Sequence, residues 1–333
     1  YLYNISGEFK MKMISEGSKP LIQPPDLNAF REWNRNNKSK ALVDKTMSER
    51  EAVSTFINDG DYIGTELYGT VRAPMSIIRE MIRQGLKDLR CAGQGVYELD
   101  LLAAAGMLKA IDWTYIGLEV YGLSSNLRRA VESGQIQEVV EWSNAAISWR
   151  FKAAAMGVPF VPARVMLGTD TFNYSSAKSV ECPFTGETLC LLPALIVDAG
   201  LIHVSRADKY GNAQIDGISG FAAEMARASK RLIISTEEIV DEDVIRANPE
   251  KTIIPYYLVD AVVEAPFGSH PGEMTYAYER DEQHIKSYYN DSKSVNKTND
   301  YLNKWIMGVR DHQEYLNLVG LEKLDSFTIK EDN

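Results

Sequence analysis

The residues best suited to chemistry lie in "DGDYIGTELYGTVRAPMSII", Asp59 to Ile78. A short apolar run ends on one carboxylate, Glu66, followed by a glycine-bearing turn and by Pro74, which opens a helical pattern. A glutamate is already ionised at neutral pH, with a reference pKa of about 4.3, so it can attack an activated acyl carbon without an adjacent base. A thioester is a suitable electrophile, and the product is a mixed anhydride. Two other roles suit the same position: Glu66 shapes or contacts a bound ligand, or it closes the strand by bonding neighbouring amides or an arginine such as Arg72.

A second glycine-bearing turn, "AGQGV", sets Gln94 between Gly93 and Gly95. With Gly64 and Gly69, these are positions where a ligand can approach backbone N–H groups. Neither turn is a dinucleotide fingerprint or a P-loop, and no G-x-S-x-G elbow is present. Cys91, Cys182 and Cys190 have no metal-site spacing, and no metal ligand set is read. Of the four histidines, His203 lies within an apolar strand and reads as packed core. His284 and His312 fall on charged faces of late helices, where exposure is expected. His270, in "APFGSHPGEM", sits in a Gly- and Pro-rich loop after a buried strand, the kind of segment that carries function.

Positioning these loops requires a sheet. Apolar strands alternate with helical patterns: "DYIGTEL" precedes "PMSIIREMIRQG", "LRCAGQG" precedes "ELDLLAAAGML", and "AIDWTYIG" precedes "SSNLRRAVESG". "IQEVVEW" then precedes "SNAAISWRFKAAAMG", with Ser143 as cap and Gly157 as stop. This alternation builds an open, largely parallel α/β sheet flanked by helices. Ligands bind such sheets at the carboxyl ends of the strands, here the loops 64–74, 91–98, 203–219 and 265–275. The expected organisation is an arm over 1–46 with one short helix near "DLNAFREWN", then one domain over 47–333. That domain holds a β-hairpin insertion around 175–193, turning at "FTGE", and C-terminal helices. Ser48 and Glu51 predict a capping box at the first helix of the domain. "YYLVDAVVEAP" reads as one strand.

The 333 residues are 45% hydrophobic and 25% charged with a net charge of −10, an ordinary globular composition. That charge argues against a nucleic-acid partner, and no apolar run is long enough to span a membrane. Free thiols and the lack of a secretory pattern point to the cytoplasm. Tyr62, Tyr68, Tyr97, Trp113 and Tyr115 supply either an aromatic-lined pocket or plain core.

Five ordered segments resemble the A (α) subunits of the family I CoA-transferases, the glutaconate CoA-transferase group. They are "GDYIGTELYGTVRAP", "WRFKAAAMGVPFVPARVMLGTD", "LPALIVDAGLIHVSRADKYGNAQIDG", "ASKRLIISTEEIV" and "IPYYLVDAVVEAPFGSHPGEM". The resemblance implies the CoA-transferase (NagB/RpiA-like) fold and a partnering B subunit, in an A2B2 heterotetramer or higher. It implies a coenzyme A thioester as substrate, a carboxylic acid as acceptor, and no permanently bound cofactor. In that group the catalytic glutamate belongs to the B subunit, and CoA moves by a ping-pong route through an acyl-glutamyl anhydride and a glutamyl-CoA thioester. The first loop usually carries Gly-Gly-Phe, which here is Glu66-Leu67-Tyr68. The expected acyl-CoA-facing set is therefore Gly64, Thr65, Glu66, Leu67, Tyr68, Gly69, Arg72, Gly93, Gln94, Gly95, Asn144 and His270, with Glu66 a minority candidate for the nucleophile. The related IpdA-type subunits of steroid-ring hydrolases have an acidic residue near the position of Asn144. The alternative readings are a ring-opening acyl-CoA hydrolase and a non-catalytic, ligand-binding or regulatory chain.

Overall fold

In the computed structural model residues 11–329 are described; residues 1–10 of the expected arm and 330–333 lie outside them. The arm contributes β1 (Met13–Glu16) and α1 (Leu27–Asn37). The expected alternation follows: α2 (Glu49–Phe56), β2 (Tyr62–Glu66), α3 (Met75–Gln84), β3 (Leu89–Gly95) and α4 (Tyr97–Ala104). It continues with β4 (Leu108–Ile116), α5 (Ser125–Glu132), β5 (Glu138–Glu141) and α6 (Asn144–Met156). The rhythm breaks at β6 (Phe160–Ala163), α7 (Asp170–Asn173), β7 (Lys178–Glu181) and β8 (Thr188–Pro193), then resumes with β9 (Val197–Ala207) and β10 (Ala213–Gln214). Next come α8 (Ala222–Ala228), β11 (Ser229–Ile239), α9 (Glu242–Ala247), β12 (Thr252–Ile254) and β13 (Ala261–Glu264). Helices α10 (Glu282–Ser292), α11 (Val295–Leu302), α12 (His312–Val319) and α13 (Leu321–Asp325) close the chain.

Local chemistry sets the ends of these helices. Ser48 and Glu51 form the capping box of α2, and Ser143 accepts from the amide of Ala146 at the start of α6. Gly85 and Gly157 stop α3 and α6 in the left-handed conformation. Pro74 is the N-cap of α3, next to its first helical residue Met75.

The main sheet has nine strands. Seven run parallel in the order β13-β11-β9-β2-β3-β4-β5; the short β10 pairs antiparallel with β9, and β12 antiparallel with β10. Both faces are covered, so consecutive residues of one strand enter different cores. Ile63, Cys91, Ile111, Leu201 and Ile233 pack under α2–α5. Their neighbours Tyr62, Ala92, Ile202 and Ile234 pack against α6 and α8 on the other side. Strands β7 and β8 pair antiparallel and join a second, antiparallel sheet in the order β1-β7-β8-β6. The arm thus packs on its own chain: Phe30 is buried, Lys38 donates to Asp260 at 2.8 Å, and Lys45 to the Tyr256 carbonyl at 2.6 Å.

Two expectations are corrected. "YYLVDAVVEAP" is not one strand: Tyr256–Leu258 is a 3-10 turn, and pairing begins at Ala261. His284 and His312 are buried, at 6% and 4% exposure: His284 packs against the rings of Tyr301 and Trp305, and His312 against Arg79 of α3. Helix α3 is enclosed from Met75 to Ile82. Its Arg79 donates to the His270 carbonyl, contacts His312 Nδ1, and lies over the Tyr315 ring.

Candidate functional site

Strand β2 lies beside β9, where the chain order of the parallel strands reverses, and Glu66 at its carboxyl end is in register with Ile202. Open α/β sheets bind ligands in the crevice at such a switch point. Here the crevice holds an ion pair from the chain itself. Arg72 Nη1 and Nη2 donate to Glu66 Oε2 and Oε1 at 2.8 and 3.0 Å, and both side chains are 0% exposed. Arg72 also donates to the carbonyls of His203 and Ile218. The two residues meet because Tyr68 and Val71 exchange backbone hydrogen bonds in a tight turn. Gly69 and Arg72 both take positive φ there, 61° in each case. A non-glycine residue in that conformation is strained, and five side-chain and backbone bonds hold it. Gly220 covers the carboxylate; a Cβ at that position would stand 2.3 Å from Glu66 Oε1.

Of the three roles compatible with the sequence, the observed contacts are those of strand closure through Arg72. Gly64, Thr65 and Leu67 are buried around the pair, whereas Tyr68 points outward at 50% exposure.

The second loop answers to packing. Gly93 has φ 151°, and a Cβ there would lie 2.5 Å from the Thr65 carbonyl; at Gly95 it would lie 1.7 Å from the Trp113 indole. These close approaches require glycine whether or not a ligand binds. Gln94 between them is partly exposed. Beneath this loop is a residue that sequence reasoning missed. Glu98 accepts from the Val96 amide, is fully buried, and leaves Oε1 without a hydrogen-bond partner. Burial raises its carboxyl to about 8, so it is mostly protonated at neutral pH. Asp100, two residues on, accepts from the amides of Asn126 and Leu127 and so caps α5 from outside, while the N-cap residue Ser124 makes no side-chain cap bond.

Asn144 is exposed at the first position of α6. His270 is brought not to an opening but under the C-terminal helices, at 1% exposure, with Nδ1 bonded to Tyr315 Oη at 2.7 Å. Tyr62, Tyr97 and Trp113 are core; Tyr115, like Tyr68, is exposed. Around the carboxyl ends of the strands the loops carry exposed apolar side chains: Tyr68, Val120, Leu123 and Tyr276, the last two at 63% and 75% exposure. Two open grooves flank this rim. One, about 580 Å³, is lined by Val71, Tyr276 and Arg280; the other, about 400 Å³, by Arg206, Glu237 and Tyr276. No helix among the described residues is long and apolar enough to cross a membrane.

Residues 46–265 match the Coenzyme A transferase family. The chain belongs to that family. It is 35% identical over 272 residues to the A subunit of the 3-oxoadipate CoA-transferase of Pseudomonas knackmussii, covering 80% of this chain and 95% of that one. It is 31% identical over 301 residues to the A subunit of the glutaconate CoA-transferase of Acidaminococcus fermentans, covering 85% and 94%. The crystal structure of the latter enzyme superposes with a TM-score of 0.82 over 86% of this chain and 96% of that one, at 29% identity. The IpdA subunit of the cholesterol ring-cleaving hydrolase of Rhodococcus jostii is 29% identical over 279 residues, 80% of this chain and 94% of that one. The CoA-transferase fold expected from the five segments is therefore the fold observed.

Proposed function

We propose that this chain is the A subunit of a heteromeric CoA-transferase, which moves CoA from an acyl-CoA to a free carboxylic acid and whose attacking glutamate lies on a B subunit. One observation carries the reading: Glu66, the acyl-loop carboxylate, is covered by Gly220 and held by Arg72. A nucleophile must reach the thioester carbonyl, and this one cannot without breaking a buried, two-pronged ion pair. The apolar rim of Tyr68, Val120 and Leu123 fits a partner seated over the carboxyl ends of the strands.

In this mechanism the partner's carboxylate attacks the thioester carbonyl and expels CoA thiolate, forming an acyl-glutamyl anhydride. The thiolate then attacks the glutamyl carbonyl, releases the first carboxylate and leaves a glutamyl-CoA thioester. The acceptor carboxylate reverses both steps. This chain contributes one wall of the site: the Glu66–Arg72 brace holds the 66–72 loop in shape, Tyr68 and Gln94 face outward from the two loops, and Thr65 and Leu67 back them. Asn144 contributes from the start of α6.

The test uses the co-expressed complex. It is incubated with acyl-CoA, reduced with borohydride, which converts a glutamyl thioester to an alcohol, and mapped by mass spectrometry. Modification of a partner glutamate is the expected result, and modification of Glu66 overturns the reading. The likeness to the IpdA subunit supports a second reading, an acyl-CoA hydrolase. It predicts an unlabelled complex that consumes acyl-CoA without needing an acceptor acid.

A further inference from the structure

Three side chains converge beneath the C-terminal helices with no part in the chemistry above. One ring nitrogen each from His270 and His284 and one oxygen of Asp281 all lie within 4.8 Å of one another, and all three residues are buried. His270 Nε2 stands 3.4 Å from Asp281 Oδ2, close to the roughly 3.3 Å between two ligands of a tetrahedral zinc ion. That Nε2 has no hydrogen-bond partner, although buried polar atoms are almost always satisfied. The far nitrogens are already held: Tyr315 Oη lies 2.7 Å from His270 Nδ1, and Tyr301 Oη lies 2.6 Å from His284 Nε2. A second partner on the far side of each ring is what fixes the tautomer of a metal-ligating histidine.

We propose that His270 Nε2, His284 Nδ1 and Asp281 Oδ2 form a structural binding site for a divalent transition metal of the zinc class, guarded in the metal-free chain by the Lys323 ammonium. Lys323 Nζ lies 2.5 Å from Asp281 Oδ2, and its side chain is 41% exposed, so it can swing into solvent and let a water complete four-coordination. Two nitrogens and one carboxylate oxygen suit zinc better than magnesium or calcium. The ion would staple the loop after β13 to α10, where Lys323 of α13 now serves as the cation.

The experiment uses the tag-free full-length chain, stripped with chelator and titrated with Co(II) and then Zn(II). Visible absorption reports cobalt geometry, and calorimetry reports stoichiometry. The expected result is one equivalent of Co(II) bound with a tetrahedral spectrum and displaced by Zn(II). Lys323→Met should tighten binding roughly tenfold by removing the competing ammonium. Tyr301→Phe should weaken it about 10- to 100-fold, and His284→Phe should abolish it. Lys323→Met leaves every ligand in place, so it tests the site even if the core variants fold poorly. The proposal is overturned if neither the parent nor Lys323→Met binds either ion stoichiometrically, or if binding survives His284→Phe undiminished.

Discussion

Arg72 donates two hydrogen bonds to Glu66, and neither side chain reaches solvent. Losing one partner strands a buried charge, so Glu66→Ala should destabilise the chain by about 3–5 kcal/mol in urea unfolding. The double substitution Glu66→Leu with Arg72→Met should recover part of that loss, because no charge is left unpaired. Equal costs for single and double variants would show that the pair is not a brace.

Gly95 packs its backbone against the Trp113 ring. Gly95→Ala should cost about 1–3 kcal/mol by overpacking and should change the tryptophan fluorescence of the folded chain. Unchanged stability and emission would mean that the loop accommodates a Cβ, leaving ligand approach as the reason for glycine.

Glu98 makes stability depend on pH. Its carboxyl titrates near 8 in the folded chain and in the ordinary carboxylate range, about 4.3, when unfolded. Between those values the folded state holds a proton that the unfolded state has lost, so this residue's contribution is full at low pH and declines as pH rises through 8. Glu98→Gln removes the effect. Measured by urea unfolding from pH 5 to pH 9, it should gain stability relative to the parent as pH rises, by up to about 1.4 kcal/mol per pH unit. A constant difference across that range would contradict a buried neutral Glu98.

Val120 and Leu123 are exposed on the loop between β4 and α5, at 84% and 63%. Val120→Asp and Leu123→Asp should change the stability of the isolated chain by no more than about 0.5 kcal/mol. The same variants should weaken association with the co-expressed B subunit by about 2 kcal/mol, read by sedimentation or sizing. Undiminished association would move the interface away from this rim.

The histidines show what the one-dimensional pattern carried and where it failed. His312, Tyr315 and Leu316 are spaced i, i+3 and i+4, and all three are buried on one face of α12. That spacing is a core stripe, but the intervening Glu314 and the charged neighbours suggest an exposed face. Arg79 of α3, more than 230 positions earlier, covers His312 and Tyr315, and Tyr315 and Leu316 pack in a cluster with Phe267 and Trp305. Glu98 escapes notice for a similar reason. A Glu in the first turn of a helix is ordinary, and only the closing of the Gly93–Gly95 loop removes it from water.

Local and periodic properties of the sequence determined the elements: the Ser48–Glu51 capping box, the glycine stops at Gly85 and Gly157, the hairpin at "FTGE", and the parallel α/β class. These depend on interactions a few residues apart. Tertiary structure alone shows which contacts Glu66 makes. The sequence offered nucleophile, ligand contact and strand closure through Arg72; the turn at 68–71 brought Arg72 back, and Gly220 from beyond β10 closed over the carboxylate. Whether a carboxylate can attack depends on its exposure and its partner: the partner, Arg72, comes from the adjacent turn, whereas the cover at Gly220 and the carbonyls of His203 and Ile218 that hold Arg72 come from more than 130 residues along the chain.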